Sequence, residues 1–244
     1  MRRREKLTRI LIAALLTLGA AICAAAQTSP AAKQNTREPV AASDVAPIKV
    51  SESTDDARYA YEFKQPDFYV NHIVIEHDAR GRGTVSFERK GVEEPIVEPL
   101  ALSEAAVGRI KALWEALHFL DSDTDYQAPK QFPHLGTMFL RMKRGERART
   151  AEFNWTHDEG ALALTTEYKR AADQAIMIFD INLARENQPL NAPKLMDQLE
   201  TMLKRNGLSD PQQLLPLLRE VQTDERLPLI ARNHAERILK KIEK

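Results

Sequence analysis

From Gly136 to Trp155 the sequence GTMFLRMKRGERARTAEFNW alternates apolar and polar positions on either side of Gly145-Glu146. Gly at the first position of a two-residue loop suits a type II′ turn, which sets the register of the flanking strands. Arg144 then faces Arg147, Met142 faces Arg149, Leu140 faces Ala151, Met138 faces Phe153 and Gly136 faces Trp155. Opposed residues share a face, so Met138, Leu140, Met142, Ala151, Phe153 and Trp155 make one apolar surface. Thr137, Phe139, Arg141, Lys143, Thr150, Glu152 and Asn154 fall on the other, mostly polar, face. A slip of one residue would mix the two faces, so pattern and turn agree on a half-buried antiparallel hairpin.

A second hairpin is predicted upstream. FYVNHIVIEH (Phe68 to His77) has strand composition, and DARGRG and TVSFERK follow it. Pairing Ile75 with Val85 also sets Ile73 opposite Phe87, with His72 facing Glu88 and Glu76 facing Thr84 on the back. Gly81 and Gly83 are expected to supply positive φ in a six-residue turn. GRG is turn glycine here, because no helix follows it to make a phosphate loop. After a Pro-bounded extended piece, EPIVEPLAL, Ser103 is a good N-cap with Glu104 in the first turn. Val107, Ile110, Trp114, Leu117 and Leu120 then make one helical stripe. That stripe is expected to lie across both hairpins, with Trp114, Trp155 and Phe153 as an aromatic centre, in an α+β arrangement of two antiparallel β-hairpins packed on a helix.

Beyond about Leu164 the period changes from two to 3.6. Leu164, Tyr168, Ala171, Ala175, Ile178, Phe179 and Asn182 trace a long helix, which Gln188-Pro189 ends. Three shorter helices follow, with expected caps at Asn191, Ser209 and Asp224, and with Gly207 closing the first of them at C′. Leu227, Ile230, Ala231, Ala235, Ile238 and Ile242 form the expected buried face of the last. The stretch from Ser209 to Ile242 resembles a HEAT-type helical hairpin, with leucines on its first helix and D-x-x-x-P then A-R-x-x-A on its second. It amounts to one repeat, whereas a solenoid needs at least three. The predicted organisation is a sheet-plus-helix region over 59–158 and a C-terminal all-helical segment of about four helices over 159–244.

The first 58 residues have a different character. MRRREK supplies a positive n-region, Ile10 to Ala26 an apolar run, and Ala24-Ala25-Ala26 an A-x-A signal before Gln27. Residues 1–26 therefore read as a signal peptide cleaved after Ala26, with an uncleaved membrane anchor as the alternative. Ile22 before Cys23 does not fit a lipid-attachment signal. Residues 27–58, rich in Ala, Pro, Ser and Thr and without periodicity, read as a disordered linker. Export implies a periplasmic or extracellular location. Removing residues 1–26 takes away Arg2, Arg3, Arg4, Lys6, Arg9 and Glu5, so 35 basic and 35 acidic residues become 30 and 34. A mildly acidic domain has no global attraction for nucleic acid, and that partner class is set aside. Cys23 is the only cysteine, so disulfides, thiolate catalysis and Cys-based zinc sites are excluded from the mature chain.

Candidate chemistry is sparse. Extending the Gly145-Glu146 register past Gly136 brings His134 opposite His157 at the hairpin mouth, followed by Asp158 and Glu159. His134, His157 and Asp158 could form a metal site with open positions, suited to a metal-assisted hydrolase. Asp121, Asp123 and Asp125 begin like a calcium loop, but Tyr126 and Phe132 stand where its turn Gly and distal Glu belong. Nucleophile-elbow, Walker, dinucleotide and zincin motifs are absent, and no cofactor is expected. The expectation is a non-catalytic interaction module, with an unknown protein or envelope component as partner. It should carry an exposed apolar or aromatic groove between sheet and helices, with Phe139 a candidate contact.

Overall fold

A computed structural model of the protein describes residues 56–244. The expected signal peptide and nearly all of the expected linker lie outside them. Six segments with period-two burial form strands: β1 (Arg58–Lys64), β2 (Val70–Asp78), β3 (Arg82–Arg89), β4 (Ile96–Ala101), β5 (Thr137–Arg144) and β6 (Arg147–Phe153). They make one antiparallel sheet in the order β4-β3-β2-β1-β5-β6. Both expected hairpins are present in the expected registers. Ile75 pairs with Val85, Ile73 with Phe87 and His72 with Glu88. Met138 pairs with Phe153, Leu140 with Ala151 and Met142 with Arg149. What joins the hairpins is β1, which pairs with β2 on one side and β5 on the other. The Pro-bounded piece is edge strand β4, where Pro99 can do without an N–H.

The turns differ in one case. Gly145 takes φ +57 as a type II′ turn requires. In the first hairpin only Gly81 has positive φ, at +76. Gly83 is a strand residue opposite His77, where a Cβ would lie 1.8 Å from the Glu76 carbonyl oxygen. The turn is short because Asp78 Oδ1 accepts from the backbone N–H of both Arg80 and Arg82, each at 2.9 Å.

Among the described residues, five α-helices complete the α+β fold: α1 (Glu104–Ala116), α2 (Glu159–Asn187), α3 (Ala192–Lys204), α4 (Leu215–Thr223) and α5 (Leu229–Ile242). Ser103 caps α1 as expected, accepting from Ala106 N–H at 3.2 Å. Several other expected caps are corrected. The long helix starts at Glu159, because the Asp158 carboxylate accepts from Ala161 N–H at 2.8 Å. Asn191 directs its amide to Gln188 instead of capping α3. Asn206, not Gly207, takes the left-handed conformation after α3, with φ +51. Asp210 replaces Ser209 as a cap and accepts from Gln212 N–H. Asp224 caps a turn through Arg226 N–H at 3.2 Å, and α5 starts only after Pro228. Ile230 is thereby left 65% exposed rather than inside.

Two apolar clusters hold these elements, and α2 runs through both. Leu164, Tyr168 and Ala172 join the sheet side chains and those of α1. Met177 and Ile181 join Met196, Leu199, Leu218 and Ile238 of the C-terminal helices. The aromatic centre is not the expected one, since Trp155 is 38% exposed and stacks edge-on against Phe132. Tyr168 of α2 occupies that centre. Its ring lies flat on Tyr61, with centroids 5.3 Å apart and planes within 2°. Its hydroxyl accepts from Trp114 Nε1 at 2.9 Å and meets His77 Nε2 at 2.8 Å. The Asp78 carbonyl, 2.7 Å from His77 Nδ1, can only accept, so Nδ1 carries the proton and Nε2 accepts from Tyr168. One buried chain of hydrogen bonds thus joins α1, α2 and β2.

Two outcomes follow from this chain. Tyr168→Phe keeps the ring but leaves Trp114 Nε1 and His77 Nε2 unpaired in the core. Urea unfolding should show a loss of about 2–3 kcal/mol. Burial also pushes the His77 pKa below its ordinary 6.5. Below 6.5 the unfolded chain binds a proton that the folded chain refuses, so stability falls as pH drops from 6.5 toward the folded-state value. Unfolding midpoints at about pH 7.5 and about pH 5.5 should therefore differ, and His77→Gln, which cannot titrate, should show a smaller difference.

Candidate functional site

The expected metal site is not assembled by its hairpin. The β5–β6 ladder stops at Met138 and Phe153. His134 then lies in a single 3-10 turn, Pro133–Leu135, against the Phe132 ring. Asp158 is spent on capping α2. Among the described residues, no group of three or more His, Cys, Asp or Glu side chains is placed to hold a metal ion. The acidic loop is fastened down rather than open. Asp121 pairs with Arg147, Asp125 accepts from Gln127 N–H at 2.9 Å, and Tyr126 is buried.

The inner face of the sheet supplies a different feature. Strand pairing at β1 sets Tyr61, Phe63, Ile73 and Met138 side by side, and α2 passes over them without filling the space above. The result is an apolar groove of about 740 Å³ between β1, β2, β5 and α2. Its rim is apolar too, with Phe68 45%, Tyr69 64%, Leu135 39% and Leu162 49% exposed. Phe68 and Tyr69 were expected inside a strand, but β2 starts at Val70 and leaves both aromatics in the β1–β2 loop. Leu162 belongs to the first turns of α2 that helical periodicity from Leu164 omits. Polar groups of α2 are spaced along one wall. Lys169 pairs with Asp173 at 3.0 Å, and Asp180 with the nearly buried Arg89 at 2.7 Å.

The opposite face of the sheet is charged. Glu62 of β1 is buried at its centre and binds Lys64, Arg141 and His72, the last at 2.9 Å. His72 Nδ1 meets Glu88 at 2.8 Å, so the imidazole bridges two carboxylates as the predicted His72–Glu88 register allows. Burial pushes the Glu62 carboxyl up, but hydrogen bonds from Lys64, His72 and Arg141 outweigh it and hold the pKa at about 2. Phe139 lies here, not in the groove. Lys64 and Arg141 stand 5.3 and 5.5 Å from its ring centroid, a cation–π arrangement that covers the expected contact residue.

Comparison with known proteins adds no assignment: no family model matches the chain, and no curated protein matches it. No described helix is long and apolar enough to cross a membrane.

Glu62→Gln would leave Lys64, Arg141 and His72 around a neutral amide. At neutral pH it should cost about 1–3 kcal/mol in chemical denaturation. Because the folded-state pKa lies below the ordinary 4.5, wild type loses its advantage as pH falls from 4.5 toward about 2. The two unfolding curves should converge over that window.

Proposed function

We propose that the chain is an exported, non-catalytic binding module of the cell envelope, and that its partner docks in the apolar groove between the sheet and α2. The observation that carries this reading is the groove's exposed aromatic and aliphatic rim of Phe68, Tyr69, Leu135 and Leu162. A contiguous apolar surface of this kind is costly to leave in water and marks interaction sites. The partner is an apolar segment of another protein, laid between strand and helix side chains as amphipathic segments are in hydrophobic grooves. The ion pairs along α2 give such a segment a polar wall to align with. Export rests on the charged start, apolar run and Ala24-Ala25-Ala26 signal.

The mass of the chain recovered from its native compartment should correspond to an N-terminus at Gln27. The neutral apolar dye Nile red should bind this mature chain saturably. Tyr69→Ser combined with Leu162→Asp should weaken it about tenfold, the equivalent of ~1.4 kcal/mol of lost apolar contact. Both residues are exposed, so the urea midpoint should stay in place. Unchanged dye binding by the variant would remove the groove as the docking site.

A further inference from the structure

The charged face of the sheet holds a second concave feature, a depression of about 540 Å³ that crosses β3, β2, β1, β5 and β6. Its floor is low because Ala60, Thr84, Ala148 and Thr150 are small. Around it stand Arg58, Arg82, Arg141 and Lys143. Arg58 and Lys143 are directly opposed across β1 and β5, and Arg141 lies one same-face step along, opposite Ala60. Like charges at opposed positions destabilise a sheet, so stability does not account for this arrangement.

Local carboxylates neutralise it only in part. Among the described residues, Arg58, Arg82 and Lys143 make no ion pair within 4.0 Å, whereas Arg141 is shared with Glu62. Arg149, opposed to Met142, lies on the other face of the sheet, where its guanidinium donates to the Phe119 and Thr124 carbonyls at 2.7 and 2.6 Å. Two acids face these cations. Asp78 is paired in register with Arg58, gives Oδ1 to the N–H groups of Arg80 and Arg82, and is held below the ordinary carboxylate range by those bonds and by the charge of Arg58. Glu76 is exposed at the edge of the depression. Positive charge therefore remains in excess over a floor that offers room and two threonine hydroxyls.

We propose that this depression binds a phosphate group, with Arg58, Arg82 and Lys143 as its principal ligands and Arg141 as a shared one. Guanidinium forks match the oxygens of a tetrahedral oxyanion, and several cations around one pocket suit a multiply charged group better than a single carboxylate. Thr84 and Thr150 can add neutral donors. The site lies on the face opposite the apolar groove and stands whether or not that groove docks a partner.

The test titrates the mature chain with inorganic phosphate and pyrophosphate while following backbone amide shifts. In parallel it measures co-sedimentation with vesicles of phosphatidylglycerol or of phosphatidylcholine. Saturable shifts at Ala60, Thr84 and Ala148 are expected, weakening with salt. Arg58→Gln with Lys143→Gln should bind about tenfold or more weakly, in line with the loss of charge-assisted hydrogen bonds. The same double variant should unfold at an equal or higher urea concentration, because cross-strand repulsion is relieved. A variant that fails to fold gives way to Arg82→Gln, which removes an exposed side chain at the strand end. Shifts with the free anions support a phosphate site, and binding only to phosphatidylglycerol identifies the phosphate as a lipid headgroup. Absence of saturable binding to every probe, or binding that survives both substitutions, overturns the proposal.

Discussion

The hydroxyl of Tyr168 sits in the core with two polar neighbours, and in a low-dielectric interior each of the three must be paired with the others. Trp114 Nε1–H can only donate, and the Asp78 carbonyl can only accept. His77 and Tyr168 are therefore oriented in one sense along the chain from α1 through α2 to β2. Displacing any of these elements would orphan a buried donor or acceptor. The stacked Tyr61–Tyr168 rings add a flat contact between β1 and α2 at the same place. The position of α2 on the sheet follows from this anchoring.

Much else depends on that helix. At 29 residues and 1.5 Å per residue it is about 43 Å long, more than a strand of nine residues can cover. Its second half still meets Phe87 and Arg89 of β3 through Phe179 and Asp180, and it offers Met177 and Ile181 as the seed of the helical core. Where it is pinned at Tyr168 the inner face of the sheet is closed. Toward Phe63, Met138 and the β1–β2 loop it is not, and the apolar groove is the space left between helix and strands. The groove is thus space left beside a helix that crosses the sheet and meets it at Tyr61–Tyr168 and at Arg89–Asp180.

The two faces of the sheet solve opposite problems. Inside, aromatic rings are packed and polar atoms are paired. Outside, Glu62 gathers Lys64, His72 and Arg141 at the centre, and this buried carboxylate is what allows Arg141 and Lys64 to stand beside Phe139 without mutual repulsion. A few residues along the same strands Arg58 has Asp78 across β2, a carboxylate whose Oδ1 is shared with the N–H groups of Arg80 and Arg82, and Lys143 makes no ion pair among the described residues. The contrast along β1, neutralised at Glu62 and only partly balanced at Arg58, is the physical basis for assigning the depression to an external anion.

Local order was legible in the sequence wherever a short turn and a two-residue period acted together. Gly145-Glu146 and the alternation from Met138 to Phe153 specified a register in which every core residue has one place, and His72–Glu88 followed from the other hairpin in the same way. Ser103 before Ala106 was a cap that only needed its own backbone. Trp155, His134 and His157 were misplaced by the same reasoning, because it continued a ladder that ends at Phe153. Helix starts were misread where periodicity from Leu164 passed over the Asp158 cap and where Asp210 competed with Ser209. The role of β1 was not visible at all: its partners are reached through no tight turn on the β5 side, so nothing local sets its register. That one non-local pairing puts Arg58 beside Lys143, gathers Glu62 with Arg141, and lines Tyr61 and Phe63 along the groove. Apart from β1, composition, alternation and capping chemistry determined which segments are extended or helical and which faces are apolar. Only the tertiary structure decided which charges are paired, which aromatic rings are buried and where space remains, because those depend on contacts between segments far apart in the chain.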